Sequence, residues 1–137
     1  MRNINVAVLA FCSLSTFAHA DIKNVTQDIT QVYCALDDGD GDNSHLSMTV
    51  LPGTSQITAE VRYLASMTRD QIVQLSVPLV EFDTNTKSYF FKLAINENIV
   101  GQAVIDLRQT NFITGRPKGY IKFNTGFYRN MFSCSIK

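Results

Sequence analysis

Hydrophobic and polar side chains alternate along most of this chain, in short runs separated by polar, glycine-containing or proline-containing turns. The alternation is clear in 32–36 and in 132–136, where Cys34 and Cys134 each occupy the middle of the apolar set. A period of two places alternate side chains on one face of a β-strand. We therefore expect two terminal strands with inward cysteines, and we expect Phe132 to share the face of Cys134.

Strand-like runs recur about every ten residues, and no segment shows a helical period. Proline at position 78 predicts an edge or a bulge in one of these strands. Regularly spaced short strands with hairpin turns are typical of an antiparallel β-barrel or β-sandwich. The sequence thus predicts an all-β fold of about eight strands, over residues 29–36, 46–51, 57–64, 73–79, 89–95, 99–107, 119–124 and 128–136.

The first twenty residues have the form of a signal peptide. Arg2 precedes an apolar run at 6–14, and Ala18-His19-Ala20 matches a small-residue cleavage site. The apolar run is shorter than the about 20 residues that a membrane-spanning helix needs. We therefore predict cleavage after Ala20 and a periplasmic or secreted protein, with residues 21–137 forming a single β domain.

Cys34 and Cys134 are the only cysteines in residues 21–137. Two cysteines in an exported protein favour a disulfide, and the alternative is a pair of buried free thiols. A bond between the first and last predicted strands would close almost the whole domain. In the chain-entropy description, closing a loop of that length stabilises the fold by roughly 4.7 kcal/mol.

Charge excludes one broad class of partner. Residues 21–137 contain 11 basic and 12 acidic residues, a net charge near −1, which argues against a general nucleic-acid binder. The charges are unevenly placed, with acids concentrated in 21–60 and bases in 108–137. Such asymmetry can mark a binding surface, although a mixed surface produces it as well.

An acidic turn is the candidate metal site. Asp38, Asp40 and Asp42 alternate as in the opening of a calcium-binding loop. The match then fails, because Asn43 stands where that loop has glycine and Thr49 stands where it has a bidentate glutamate. The run predicts either weak calcium binding, as in a calcium-binding envelope protein, or an ordinary turn; we expect no other cofactor.

The sequence offers little for catalysis. His45 is the only histidine in residues 21–137, which excludes a multi-histidine zinc site. Glu60 and Asp106 could meet across a sheet and act as a carboxylate pair, which would make the protein a small hydrolase. Both carboxylates alternate with apolar residues, so a solvated strand face also explains them. We therefore do not predict an enzyme, and the hydrolase remains the alternative.

The segment 110–119 is the best binding candidate, because it is long for a hairpin connection and combines apolar, cationic and glycine residues. An aromatic anchor beside arginine is common where a loop inserts into a partner. The turn at 124–129 has a similar composition. We predict a non-catalytic binding or inhibitor module for a protein or glycan partner outside the cytoplasm, using Phe112, Ile113, Arg116, Lys118, Phe127, Tyr128 and Arg129. Alternatively, Phe112 and Ile113 plug the end of the barrel.

Overall fold

The computed structural model describes residues 21–37, 44–50, 57–66 and 69–137, and the described chain is built from β-strands. All pairings between strands are antiparallel. The strands are β1 (Ile22–Asn24), β2 (Gln31–Asp37), β3 (His45–Val50), β4 (Ile57–Ser66), β5 (Arg69–Asp83), β6 (Ser88–Ala94), β7 (Val100–Thr110), β8 (Pro117–Phe123) and β9 (Tyr128–Ile136).

Strands β2 to β9 form a closed eight-stranded barrel. Each pairs with the next in sequence, and β9 returns to pair with β2. The all-β antiparallel prediction is confirmed, and the closing pair selects the barrel over the sandwich. β1 lies outside this cycle and pairs with the last part of β5, where Ile22 lies opposite Asp83.

The predicted strands correspond one to one with β2 to β9. The bulge expected from proline is also present, because the register between β5 and β6 shifts between Ser76 and Leu79. β1 was not predicted. It has three residues, all of them exposed, so it carries no alternating apolar signal.

The barrel interior is filled by inward side chains from all eight strands. Eight strands leave an interior that side chains alone can fill, and each strand supplies inward residues at alternate positions. The largest completely or almost completely buried side chains are Val32, Cys34, Leu36, Leu46, Val61, Val80, Phe91, Ile105, Ile121, Met131 and Cys134. The core is therefore solid at mid-height, and the surfaces open to partners are the outer wall and the two ends.

A disulfide joins Cys34 to Cys134, as predicted. The two residues lie directly opposite each other in the β2–β9 pair, with Cα atoms 4.1 Å apart. Both side chains are fully buried. The bond thus fixes the register of the one pair of strands that closes the barrel.

The prediction that Phe132 faces inward with Cys134 is wrong. Leu36 pairs with Met131 and Ala35 pairs with Ser133, so a bulge in β9 leaves Phe132 without an opposite residue on β2. Met131 takes the inward position, and Phe132 is 41% exposed. One extra residue in a strand is enough to reverse which face its neighbours occupy.

Candidate functional site

The loop 111–116 joins β7 to β8 and is organised by one asparagine. Asn111 Oδ1 accepts hydrogen bonds from the backbone N–H groups of Ile113 (2.9 Å) and Thr114 (3.1 Å). The carbonyl of Asn111 accepts from Gly115 N, and its N–H donates to the carbonyl of Arg116, both at 2.8 Å. Gly115 has φ of 66°, a left-handed conformation that favours glycine. The loop backbone is therefore ordered by its own hydrogen bonds.

The same loop is fastened to β9 at the bulge. Asn111 Nδ2 donates to the carbonyl of Phe132 at 3.0 Å. The hydroxyls of Thr114 and Ser133 are hydrogen-bonded at 3.3 Å, and Arg116 N donates to Thr114 Oγ1 at 3.3 Å. Ser133 is buried although it points away from the core, because the loop covers it. The loop is held on both sides of its tip.

The tip of this loop is apolar and open to solvent. Phe112 is 95% exposed and Ile113 is 78% exposed. The alternative in which these two side chains plug the barrel end is therefore wrong. Arg116 is exposed in the same loop, and Lys118 is exposed at the start of β8.

The turn at 124–127 lies at the opposite end of the barrel. Asn124 N donates to the carbonyl of Val100, at the start of β7, whereas loop 111–116 follows the end of β7. Phe127 packs into the barrel end, with ring centroids 4.8 Å from Tyr63 and 5.9 Å from Phe123. The Arg129 guanidinium lies 5.0 Å from the Phe127 ring centroid.

The seven predicted binding residues thus separate into three places. Phe112, Ile113 and Arg116 share the loop at one end. Phe127 and Arg129 belong to the packing at the other end. Lys118 and Tyr128 lie on the outer wall between them, where both are exposed. The structure does not bring the seven together into one surface.

A cleft of about 500 Å³ lies on that outer wall, and the sequence did not indicate it. It crosses β7, β8 and β9, and its lining includes Tyr120, Tyr128 and Asn130. The rings of Tyr120 and Tyr128 are stacked, with centroids 5.8 Å apart. Both tyrosines alternate with inward residues, so the sequence pattern predicts that they face outward. Their closeness depends on the register between strands, which the pattern does not give.

The carboxylates of the hydrolase alternative are separated. Glu60 lies on β4 and Asp106 on β7, and β5 and β6 stand between these strands. Glu60 accepts a hydrogen bond from Gln74 at 3.2 Å, and its other oxygen lies 3.8 Å from Nε2 of His45. The two carboxylates do not form a facing pair of the kind that glycoside hydrolysis uses.

Asp106 is held by its own neighbours. Its carboxylate accepts from Arg108 Nε at 3.1 Å and from Arg108 N at 2.9 Å, and Gln109 Nε2 donates at 3.3 Å. The hydrogen bond from the Arg108 side chain is the main cause that lowers the pKa of Asp106 below its ordinary value of 3.8, against a smaller opposing effect of desolvation. These contacts indicate that the Asp106 carboxylate stabilises the last residues of β7.

Asp38, Asp40 and Asp42 lie outside the described residues, so the calcium prediction stays a prediction. Within the described part of the chain, no group of three His, Cys, Asp or Glu side chains is placed to hold a metal ion.

No helix among the described residues is long and apolar enough to cross a membrane.

Comparison with known proteins gives no match to a family model, a curated protein or a solved structure. The loop, the cleft and their chemistry are therefore the basis for inferring a function.

Proposed function

We propose that this protein is an exported, non-catalytic binding module that inserts loop 111–116 into a concave site on a protein partner outside the cytoplasm. The observation that carries the proposal is the 95% exposure of Phe112 at the tip of an ordered loop. Such a module would act as an inhibitor where the concave site is an active-site cleft.

The apolar tip supplies the driving force for association. Burying a side chain such as Phe112 or Ile113 is worth roughly 1.5–3 kcal/mol each. Arg116 is exposed in the same loop, and arginine is enriched among the residues that contribute most of the binding energy at protein interfaces. The two apolar side chains and the arginine are adjacent in a loop of six residues, which suits a small, deep recess in the partner.

Order in the loop makes insertion less costly. Association loses free energy when flexible segments must be fixed, and this backbone is already fixed by Asn111 and Thr114. Backbone groups that pair within the loop also need no new partner when the tip leaves water. The loop is therefore suited to enter a site with little rearrangement.

The test has two stages: a partner is first identified, and its affinity for a matched pair of variants is then compared. Immobilised protein captures partners from an extracytoplasmic extract, and each captured protein is identified, purified and titrated by calorimetry. Phe112→Ser should weaken that complex by about tenfold or more, because the anchor ring is lost. Ile72→Ser is the control, since Ile72 is 57% exposed on β5, away from the loop.

Both variants should have the same melting temperature as the parent protein, because neither side chain is in the core. Equal affinities for the parent and Phe112→Ser would overturn the proposal. The same is true if Ile72→Ser weakens the complex as strongly as Phe112→Ser does.

A further inference from the structure

The cleft on the outer wall has the size of a ligand site. Its volume of about 500 Å³ falls within the range of small-molecule pockets, roughly 300–1,000 Å³. Gln109 and Phe132 line it, and Phe132 is also the residue whose carbonyl holds Asn111. The cleft therefore ends at the base of loop 111–116, but it is lined by other side chains.

Three aromatic rings contribute to the apolar lining of this cleft, beside Val104 and Met131. Tyr120 and Tyr128 stack with an interplanar angle of 22°, and Tyr128 is 49% exposed. Phe132 adds a third ring, which the β9 bulge turns away from the core. An aromatic face is flat and apolar and carries partial negative charge, so it suits the C–H face of a sugar ring.

The polar lining is mixed and nearly balanced in charge. Asp37 and Lys118 contribute one charge of each sign, and Asn130 and Gln109 contribute amides. The remaining carboxylate, Asp106, is already bound to Arg108. This set does not select a phosphate or another strongly charged ligand. It offers both donors and acceptors, which is what a polyhydroxylated neutral ligand requires.

Hydrogen bonds fix the polar groups in place. Tyr128 OH donates to Asn130 Oδ1 at 3.0 Å, so the side-chain N–H groups of Asn130 are directed away from the Tyr128 hydroxyl. Gln102 Nε2 donates to Tyr120 OH at 3.3 Å. Val104 lies on the outer face of β7 and is nevertheless buried beneath this layer. Ring and amide are therefore positioned before any ligand arrives.

We propose that this cleft binds a neutral oligosaccharide, with the ring of Tyr128 as the stacking platform and Asn130 as a donor to sugar hydroxyls. Lys118 and Asp37 also line the cleft, where both are exposed, and would bond hydroxyls further along the ligand. The proposal goes beyond the insertion of loop 111–116 and does not depend on it, since the two sites have no side chain in common.

The experiment is an amide NMR titration of residues 21–137 with cellohexaose, chitohexaose and maltohexaose as separate probes at millimolar concentrations. At least one probe should shift the signals of 118–120 and 128–132 and leave those of 71–75 unchanged. Tyr128→Ala and Asn130→Ala should each weaken that binding by about tenfold. Ile72→Ala and Phe112→Ser should bind the sugar like the parent, which separates this site from the loop.

Thermal unfolding of each variant confirms that the barrel is intact, and Asn130→Ala serves as the milder change because its side chain is exposed. The proposal is overturned if none of the three sugars shifts the cleft signals. It is equally overturned if Tyr128→Ala and Asn130→Ala, both folded, bind the sugar as tightly as the parent does, or if the shifts map to another part of the barrel.

Discussion

Two turns in this barrel have a similar composition but place their aromatic residue in opposite environments. Loop 111–116 contains Phe112 with Arg116, and the turn at 124–127 contains Phe127 followed closely by Arg129. Phe112 projects into solvent, whereas Phe127 packs against Tyr63 and Phe123 and has an arginine over its ring. An aromatic residue beside arginine is therefore an exposed loop tip at one end of the barrel and part of the packing at the other.

The difference comes from what each turn has beneath it. The turn at 124–127 closes over a barrel end lined by Val61, Val73 and Ile99, and an aromatic ring there removes apolar surface from water. Loop 111–116 is longer and leans onto β9 through Asn111 and Thr114. Its polar residues make the contacts with the barrel, so its apolar residues are left outside.

The largest expected effect is that of cutting the disulfide. Cys134→Ser should lower the free energy of unfolding by about 3–5 kcal/mol, because the bond closes a loop with a sequence separation of 100. The substitution should also affect the two turns differently, since loop 111–116 is hydrogen-bonded to Phe132 and Ser133 of β9. Hydrogen exchange should accelerate in 111–116 more than in 124–127.

Urea unfolding of Cys34→Ser, Cys134→Ser and the double variant provides the control. The three should be destabilised almost equally, because each removes the same link. A double variant that loses about twice as much as either single variant would contradict this explanation.

The second effect is a direct test of the comparison. Phe127→Ala should cost about 2–4 kcal/mol of stability, since it removes a ring packed on the core. Phe112→Ala should change stability by no more than about 0.5 kcal/mol, as expected for an exposed side chain. Urea midpoints of the two variants measure both values. Equal losses would mean that the two aromatic residues are not in opposite environments.

A smaller effect should be shared by both turns. Gly115 and Gly126 have φ of 66° and 90°, and a Cβ added at either would meet no atom within 4 Å. Replacement by alanine should therefore cost about 1 kcal/mol at each position, from backbone strain alone. Thermal unfolding of the two variants should give similar shifts, and a markedly larger loss at one turn would indicate a packing role there.

The smallest effect concerns pH. The pKa of Asp106 is lowered in the folded state, so its contribution to stability is present above the ordinary pKa of 3.8 and is lost as the pH falls through the lower folded value. Asp106→Asn should remove this contribution at neutral pH and weaken the acid dependence. We expect a small change in urea midpoint, because the Arg108 partner is largely solvated. An unchanged slope of stability against acid pH would exclude this role.

The sequence predicted the eight barrel strands because each carries an alternating apolar face bounded by turn residues. It did not separate barrel from sandwich, since that choice depends on β9 returning to β2. It also misplaced Phe132, because the bulge at this residue is a feature of the pairing between β9 and β2, which the alternation along one strand does not reveal. β1 has no buried face and left no pattern to detect.

The sequence indicated the loop but not the cleft, for a related reason. Length and composition indicated loop 111–116, and the exposure of Phe112 agrees with an external tip. The inward direction of Phe127 could not be predicted, since residues in a turn follow no period of two. The cleft required knowing that Tyr120 and Tyr128 lie on diagonal positions of paired strands, which is a matter of register.

The order of the barrel strands has a consequence for how the chain folds. Each of β2 to β8 pairs with its successor, so the sheet can grow by successive hairpins with small entropic cost at each step. The β2–β9 pair joins the most distant strands of the barrel and is the slow, non-local step. The two cysteine side chains meet on that pair, so closure of the barrel brings the two thiols together and favours their oxidation. Trapping free thiols during oxidative refolding of the reduced protein would test whether the bond forms together with the closing pair or before it.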